Sequence, residues 1–321
     1  MGDTVIVNSY NNTEELLKKF PIENPTPVTT QMEKNIQNRL LTGFENWNRG
    51  FDAWKAWGDI LYTEDSLYNV HSVHLTLKEY QTAMFGTLRR ADIQMGAFHN
   101  MLVSGDWCAI RYDIMTTPRG SDRTIPGSVM EFVHFKDYGE KLGTRVVEGW
   151  AGTRGADYQG LSMLQTKEEQ AAQKEAENKI LAYVIPDTTD LAAKYPVLNP
   201  TPVEGEKAEA IRTAIHTSFE DWNTGSASWG SILSDHFSAH FDHRDEDKAA
   251  YMDGMKKEEE STRTQRLYFD SMLISGDWAA IHYRTAVTDV KTGERTPGGR
   301  MQFIHFADEN GTLKAQEMWT K

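Results

Sequence analysis

The spacing of apolar residues along the chain changes from a helical period to a strand period twice, in the same order. The first helical segment has apolar residues three or four positions apart, at Met32, Ile36, Leu40, Phe44 and Trp47. The corresponding later segment has them at Ile211, Ile215, Phe219 and Trp222. This spacing predicts two helices with one apolar face each, and Gly50 and Gly225 stand where a helix is expected to end. Residues 77–90 and 247–260 predict a second helix in each half.

Strand-like alternation follows, and it includes one stretch that occurs twice, as MLVSGDWCAIRY (Met101–Tyr112) and MLISGDWAAIHY (Met272–Tyr283). Ser-Gly-Asp is typical of a turn, so each stretch predicts a β-hairpin with Gly and Asp in its loop. The expected opposed pairs are Val103 with Cys108, Met101 with Ile110, and His99 with Tyr112. In the second half they are Ile274 with Ala279, Met272 with Ile281, and Asp270 with Tyr283. Because opposed residues share a face of the sheet, each apolar face is expected to end in a polar pair.

Other segments also occur twice in the same order, which predicts two tandem domains. FPIENPTPV returns as YPVLNPTPV, GFENWNRG as SFEDWNTG, MEFVHF as MQFIHF, and EGW as EMW. The expected domains are 1–165 and 188–321. Residues 166–187 are expected to form a helical linker that opens with a capping box, Thr166 with Glu169, and ends near Pro186.

Composition excludes several classes of partner. The 321 residues carry a formal charge of −13, which argues against nucleic acid or an anionic membrane surface as the main partner. No stretch approaches the ~18 apolar residues of a membrane span, and the start of the chain does not look like a secretory signal. The lone cysteine, Cys108, fits a reducing compartment, so a cytoplasmic location is expected.

The order of the motifs resembles a known family. Helices followed by long strands with the pattern GDWCAIRY … FVHFKDYGEKLGTRVVEGW are similar to the NTF2-like superfamily, and to its SnoaL-like, polyketide cyclase-like branch. The resemblance implies an α+β fold class, with two tandem cone-shaped NTF2-like domains. Each would be a curved antiparallel sheet wrapped around helices with a mostly apolar central pocket. Such folds host cyclases, dehydratases, isomerases, epoxide hydrolases and non-catalytic binders, so the fold does not select a function.

Two polar pairs are candidate acid–base groups. His99, beside Tyr112 at the end of an apolar face, could take a proton from a carbon acid while Tyr112 holds the enolate oxygen. The alternative is a structural histidine bonded to the tyrosine. Asp270 with Tyr283 could act in the same way in the second domain, because burial would raise the pKa of that carboxyl. An aspartate that only bonds the tyrosine hydroxyl is the alternative there.

Two further residues are weaker candidates. His134 could act as an acid or base, but His305 repeats it in the second domain, which favours a structural role shared by both domains. The SnoaL-like resemblance implies an acid–base aspartate near the last strand, and Asp157 stands closest to that place. The second domain has no counterpart of Asp157, and this difference weakens the case for cyclase chemistry.

One histidine-rich segment could suggest a metal. SDHFSAHFDHRDED contains His236, His240 and His243, but its aspartates favour a solvated polar loop. No glycine-rich phosphate cradle and no Gly-x-Ser-x-Gly elbow occurs. Neither a cofactor nor a metal is therefore expected.

These observations favour a cofactor-independent acid–base enzyme of cyclase, isomerase or dehydratase type. Its partner would be a small to medium apolar compound with a carbonyl or hydroxyl group. The alternative is a non-catalytic ligand-binding or assembly module in which at least the second domain is degenerate. Under both hypotheses the two domains are expected to pair as an internal pseudo-dimer, and further homo-oligomers are possible.

Overall fold

The computed structural model describes residues 10–70, 73–153, 161–241 and 244–321. The chain divides into two compact units, Met1–Ala171 and Ala172–Lys321. The division falls inside a helix of residues 167–182, within the segment that the sequence assigns to a linker. The domain limits 1–165 and 188–321 stay predictions.

The first unit combines short and long helices with one seven-stranded sheet. Its helices are α1 (Thr13–Lys19), α2 (Gln31–Asn48), α3 (Phe51–Leu61), α4 (Leu77–Leu88) and α5 (Gly139–Leu142), with a 3-10 turn at Leu161–Leu164. Its strands are β1 (Ile22–Pro25), β2 (Tyr62–Val70), β3 (Val73–Thr76), β4 (Ala91–Ser104), β5 (Trp107–Pro118), β6 (Ile125–Asp137) and β7 (Thr144–Thr153). The strand order is β1-β4-β5-β6-β7-β2-β3. Strands β4 to β7 are antiparallel, whereas β1 and β2 run parallel to β4 and β7.

The second unit has the same strand order. Its helices are α6 (Lys167–Ala182, whose first residues belong to the first unit), α7 (Leu191–Lys194), α8 (Glu206–Asn223) and α9 (Lys248–Ser261), with a 3-10 helix at Ala227–Ile232. Its strands are β8 (Val197–Pro200), β9 (Leu233–His240), β10 (Asp245–Asp247), β11 (Thr262–Ser275), β12 (Trp278–Asp289), β13 (Arg295–Glu309) and β14 (Thr312–Thr320). The order β8-β11-β12-β13-β14-β9-β10 matches that of the first unit, strand for strand.

The helix signals in the sequence correspond to real helix ends. Thr30 caps α2 and exchanges hydrogen bonds with Glu33, and the helix stops just before Gly50, whose φ of 108° suits glycine. Thr166 and Glu169 form the expected capping box of α6. Helix α3 was not predicted. It packs Trp57 into the core of the first unit beside Leu40 and Phe44.

The hairpin registers are as predicted near the turns and differ farther away. Met101 pairs with Ile110 and Val103 with Cys108, and the corresponding pairs form in the second unit. Beyond them Phe98, not His99, pairs with Tyr112, because β4 carries two β-bulges. Strand β11 carries two as well, and Phe269 takes the place opposite Tyr283. An extra residue in one strand bends it and reverses which side chains face the core. The predicted pairs His99–Tyr112 and Asp270–Tyr283 are therefore wrong.

Helix α2 covers one face of the first sheet and builds the core there. Phe44 stacks on Phe98 with ring centroids 3.8 Å apart, and the Tyr112 ring contacts the Phe44 ring edge-on at 4.6 Å. In the second unit, Phe219 of α8 contacts Phe269 and Tyr283 in the same way. The predicted α+β fold class is confirmed, since each unit packs helices on one seven-stranded, mainly antiparallel sheet. No helix in the described ranges is long and apolar enough to span a membrane.

Candidate functional site

A cavity of about 100 Å³ lies between the helices of the first unit and the face of its sheet. Its walls are mostly apolar and include three tryptophans, Trp47, Trp54 and Trp57. Glu131 contributes the one carboxyl group among the described lining residues, and no lysine, arginine or histidine is among them. The cavity therefore places one acid in apolar surroundings without a counter-charge, which is typical of sites that perturb a pKa.

Glu131 reaches the cavity because of its position on β6. It lies opposite Ile110 of β5, and opposed residues share a face, so its side chain points to the same side as Ile110 and Tyr112. The Tyr112 hydroxyl donates a hydrogen bond to Oε1 of Glu131, and the Tyr68 hydroxyl donates to Oε2 at 2.6 Å. Each oxygen of the carboxylate is thus held by one phenol.

Tyr68 can reach Glu131 because the residue between them has no side chain. Tyr68 of β2 pairs with Gly149 of β7, and a Cβ atom on Gly149 would lie 2.5 Å from Cε2 of the tyrosine ring. Real Cβ atoms do not come that close to a ring carbon. In the second unit the corresponding pair is Ala239 of β9 with Met318 of β14. There the large side chain is on the strand that corresponds to β7, and the small one is on the strand that corresponds to β2.

Burial determines the acidity of this group. Desolvation in the cavity raises the pKa of Glu131, while the hydrogen bonds from Tyr112 and Tyr68 act in the opposite direction and do not cancel the rise. Desolvation also raises the pKa of Tyr68 well above its usual value, and the nearby Glu131 carboxylate adds to that. The result is a carboxyl more basic than an ordinary glutamate, held on one side by a Tyr68 hydroxyl that keeps its proton.

His99 lies on the opposite face of the strand from this cavity. It is the extra residue of a bulge, and its ring nitrogens lie 2.6 Å from Oε2 of Glu23 and 3.0 Å from Oδ1 of Asp113. The structure does not bring His99 and Tyr112 together. Of that predicted pair, Tyr112 alone faces the cavity.

Asp270 is placed in the same way in the second unit. It lies 2.5 Å from Nε of Arg284 and 3.4 Å from Nδ1 of His282, on the face opposite Tyr283. Burial raises the pKa of Asp270, as the sequence predicted, although the Arg284 charge lowers it. Burial also keeps the pKa of His282 well below its usual value. Tyr283 faces the helices instead and packs on Phe219.

Of the two weaker candidates, the structure describes His134. His134 stacks on Trp107 at 4.6 Å and lies 3.1 Å from Asp106, and His305 stacks on Trp278 at 4.7 Å in the second unit. These repeated contacts match the structural interpretation of His134. Asp157 lies outside the described residues.

The described part of the histidine-rich segment forms side-chain contacts with its neighbours. His240 lies 2.9 Å from Oδ1 of Asp245 and stacks on Trp319 at 4.7 Å. Within the ranges that the structure describes, no three potential ligands come together. His243 lies outside the described residues. A metal site formed by His236, His240 and His243 therefore stays an untested alternative.

Sequence reasoning missed Glu131 and Tyr68. A signal for Glu131 was present, because MEFVHF and MQFIHF differ at Glu131 and Gln302. Gln302 pairs with Ile281 as Glu131 pairs with Ile110. A carboxyl that becomes an amide at one position of an otherwise similar strand indicates a chemical difference between the two units. No comparable signal marked Tyr68, because strand β2 has little sequence in common with β9.

We expect Gly149→Ala to destabilise the first unit by about 1–3 kcal/mol, since the new methyl group overlaps the Tyr68 ring and forces it to move. Calorimetric unfolding of the full chain measures the change. The matched control is Gly86→Ala in helix α4, where an added Cβ meets nothing within 4 Å and alanine favours the helix. If Gly149→Ala is as stable as that control, the Tyr68 ring does not occupy the space beside Gly149.

Comparisons with known proteins give structural likenesses only. No protein-family model matches the chain, and no curated protein matches it. A protein assigned as a SnoaL-like polyketide cyclase from Jannaschia matches with 17% identity and a TM-score of 0.30, over 41% of this chain and 90% of its own. A ketosteroid isomerase-like protein from Erwinia carotovora matches with 12% identity and a TM-score of 0.31, over 40% of this chain and 100% of its own. ActVI-ORFA from Streptomyces coelicolor matches with 8% identity and a TM-score of 0.31, over 36% of this chain and 96% of its own. At these values the likenesses carry no information on activity.

Proposed function

We propose that the first unit is a cofactor-independent acid–base enzyme that moves a proton on a small apolar carbonyl compound. The observation that carries the proposal is the Glu131 carboxyl held between the Tyr68 and Tyr112 hydroxyls inside an apolar cavity. A base, two oxyanion donors and exclusion of water are the parts that removal of a proton next to a carbonyl needs.

The arrangement supports a simple division of roles. Glu131 takes a proton from the carbon next to the carbonyl, and the electron pair of that C–H bond moves onto the carbonyl oxygen. Protonated Glu131 accepts hydrogen bonds less strongly, so a phenol that had bonded it can donate to the new oxyanion. Return of the proton to another carbon gives an isomer. If protonated Glu131 first replaces that proton with one from solvent, return to the first carbon gives exchange with solvent. Cyclisation and dehydration need the same first step.

The size of the cavity limits the substrate. Its volume of about 100 Å³ is smaller than the ~150 Å³ of an apolar cavity that takes up benzene. Cyclopentanone has six heavy atoms, as benzene has, so it is near the upper limit of size and serves as the first probe. Larger substrates require side chains such as Trp54 to move.

The test is exchange of the α-protons of cyclopentanone in D₂O, followed by proton NMR with the full-length chain. We expect exchange faster than that caused by acetate at the same concentration and pH. His99→Gln is expected to leave the rate unchanged, because His99 faces away from the cavity and contacts Glu23 and Asp113. Exchange no faster than acetate would contradict the proposal, and loss of exchange in His99→Gln would return the role of base to His99.

We expect the rate of exchange to fall as the pH falls, because the base must be ionised to take a proton. Burial raises the pKa of Glu131, so half of the activity should be lost at a pH above the ~4.3 of an ordinary glutamate. The rate profile measured from pH 4 to 8 checks this direction. A midpoint at or below the ordinary value would mean that burial does not outweigh the Tyr68 and Tyr112 hydrogen bonds at this carboxyl.

The alternative, a pocket that binds without catalysis, has one specific observation in its favour. Gln302 replaces the carboxyl in the second unit, and an amide cannot act as the base. If the first unit binds cyclopentanone in an NMR titration and exchanges none of its protons, this alternative replaces the enzyme. The pairing of the two domains as an internal pseudo-dimer stays a prediction.

A further inference from the structure

The second unit contains a cavity of about 190 Å³ between helices α8 and α9 and the sheet face. It is larger than an apolar cavity that takes up benzene, so a ring-sized ligand fits without rearrangement. Its walls combine apolar side chains, such as Trp222, Phe241 and Met318, with several charged groups. The chemistry of the ligand follows from how those charges are arranged.

Arg266 stands among aromatic rings in this cavity. Its guanidinium carbon lies 4.5 Å from the ring centroid of Trp222, 5.1 Å from that of Phe219 and 6.0 Å from that of Tyr283. Stacking on aromatic faces fixes the plane of the guanidinium group and leaves its N–H edge free to bind an anion. No acidic side chain pairs with Arg266 in the part of the chain that the structure describes.

The other charged groups of the cavity balance one another. Arg244 lies 2.6 Å from Glu246, and Arg300 lies 3.6 Å from Glu258. These two pairs leave the charge of Arg266 uncompensated among the described lining residues. The cavity therefore has an excess of one positive charge in surroundings that are partly apolar.

Neutral donors stand next to this cation. The hydroxyls of Tyr251 and Tyr283 line the cavity and have no hydrogen-bond partner among the described residues. Burial raises the pKa of Tyr251 to about 12, with Arg266 acting in the opposite direction, so this hydroxyl keeps its proton at neutral pH. One cation and two free hydroxyls match an acceptor with several oxygen lone pairs, such as a carboxylate.

The first unit has the opposite polarity at the corresponding positions. Met95 pairs with Ile114 there, and Arg266 pairs with Thr285 at the same step of the second hairpin. Glu131 likewise corresponds to Gln302. The first cavity thus has an acid and no cation among its described lining residues, and the second has a free cation where the first has a thioether. This exchange changes which ligands the two cavities can accept, whatever reaction the first unit performs.

We propose that the second cavity binds a small monoanionic carboxylic acid with an apolar body the size of one ring. The carboxylate pairs with the guanidinium group of Arg266 and accepts hydrogen bonds from the Tyr251 and Tyr283 hydroxyls. The apolar body packs on Phe241 and Met318. The inference goes beyond the proposed activity of the first unit and does not depend on it.

The test is isothermal titration of the full-length chain with benzoate, and with benzamide as the uncharged analogue of the same shape. We expect benzoate to bind at least tenfold more tightly than benzamide. Arg266→Met, which introduces the residue found at Met95, is expected to weaken benzoate binding by about 10- to 100-fold and to leave benzamide binding nearly unchanged. Arg266→Lys keeps the charge without the planar fork and should weaken binding to a smaller extent.

Arg263→Met is the matched control, because Arg263 is an exposed arginine on the same strand and does not line the cavity. It should bind benzoate as the unmodified chain does. Equal affinity for benzoate and benzamide, no measurable binding of benzoate, or unchanged binding in Arg266→Met would each overturn the proposal. Circular dichroism of each variant shows whether a loss of binding comes from unfolding. If Arg266→Met is unfolded, the benzoate affinity of Arg266→Lys is compared with that of the unmodified chain instead.

Discussion

Glu131→Gln is expected to lower the rate of cyclopentanone exchange by about 10²- to 10⁴-fold, which is the usual contribution of a positioned general base. The amide has nearly the shape of the carboxyl and still accepts a hydrogen bond from Tyr68 or Tyr112. It cannot take the proton, so the chemical step loses its base while the cavity keeps its form.

The second unit supports the choice of glutamine. Gln302 occupies the corresponding position of β13, where it donates a weak hydrogen bond to Thr320 at 3.5 Å. The same residue at position 131 should therefore be tolerated, and the unfolding temperature should change little. Proton NMR of ketone exchange measures the effect, with His99→Gln as the control. A variant that exchanges at the rate of the unmodified chain would show that the carboxyl is not the base.

Phe98→Ala is expected to destabilise the first unit by about 3–5 kcal/mol, because it removes a fully buried ring from the centre of the core. Phe98 stacks on Phe44 at 3.8 Å and contacts Tyr112 at 6.0 Å. Loss of the ring leaves a cavity beside Tyr112, so the hydrogen bond from Tyr112 to Glu131 should also weaken. Calorimetric unfolding measures the stability of the variant.

Phe85→Ala is the matched control for this substitution. Phe85 is 47% exposed on helix α4 and contacts Phe51 at 5.0 Å, so its loss should cost less than about 1 kcal/mol. Equal destabilisation by the two substitutions would mean that Phe98 does not hold the bulged strand against helix α2.

Local signals were sufficient to predict much of the fold. Helix ends depend on nearby residues, such as Gly50, Thr166 and Glu169, and the hairpin turns depend on Ser-Gly-Asp. The repeated segments predicted where a second set of the same elements begins. These features need only neighbours along the chain, and the structure contains them.

The facing of His99 and Asp270 could not be predicted by counting from the turn. Counting assumes one residue for each step of both strands, and the bulges in β4 and β11 break that rule. From the turn back to Met101, apolar residues marked which face of the strand is buried. Farther back, Gly96 and Ala97 have side chains too small to mark either face. The bulges in β4 and β11 depend on how these strands pair with the rest of their sheets, which residues next to one another in the sequence do not determine.

The centre of the site depends on contacts between residues that are distant in the sequence. Tyr68 and Glu131 are 63 residues apart and meet because Gly149 leaves space between their strands. Tyr112 was recognised as a member of the site, although with the wrong partner. The change from Glu131 to Gln302 was visible in the sequence, but its meaning required the cavity.

The proposed chemistry depends above all on the pKa of Glu131, which carbon NMR titration of the side-chain carboxyl groups in the full-length chain can measure. The signal that disappears in Glu131→Gln identifies the residue. We expect a midpoint clearly above the ~4.3 of an ordinary glutamate, because burial among aromatic rings outweighs the two phenol hydrogen bonds. A midpoint at or below that value would show that burial does not outweigh the two hydrogen bonds, and the first unit would then have no base suited to the proposed chemistry.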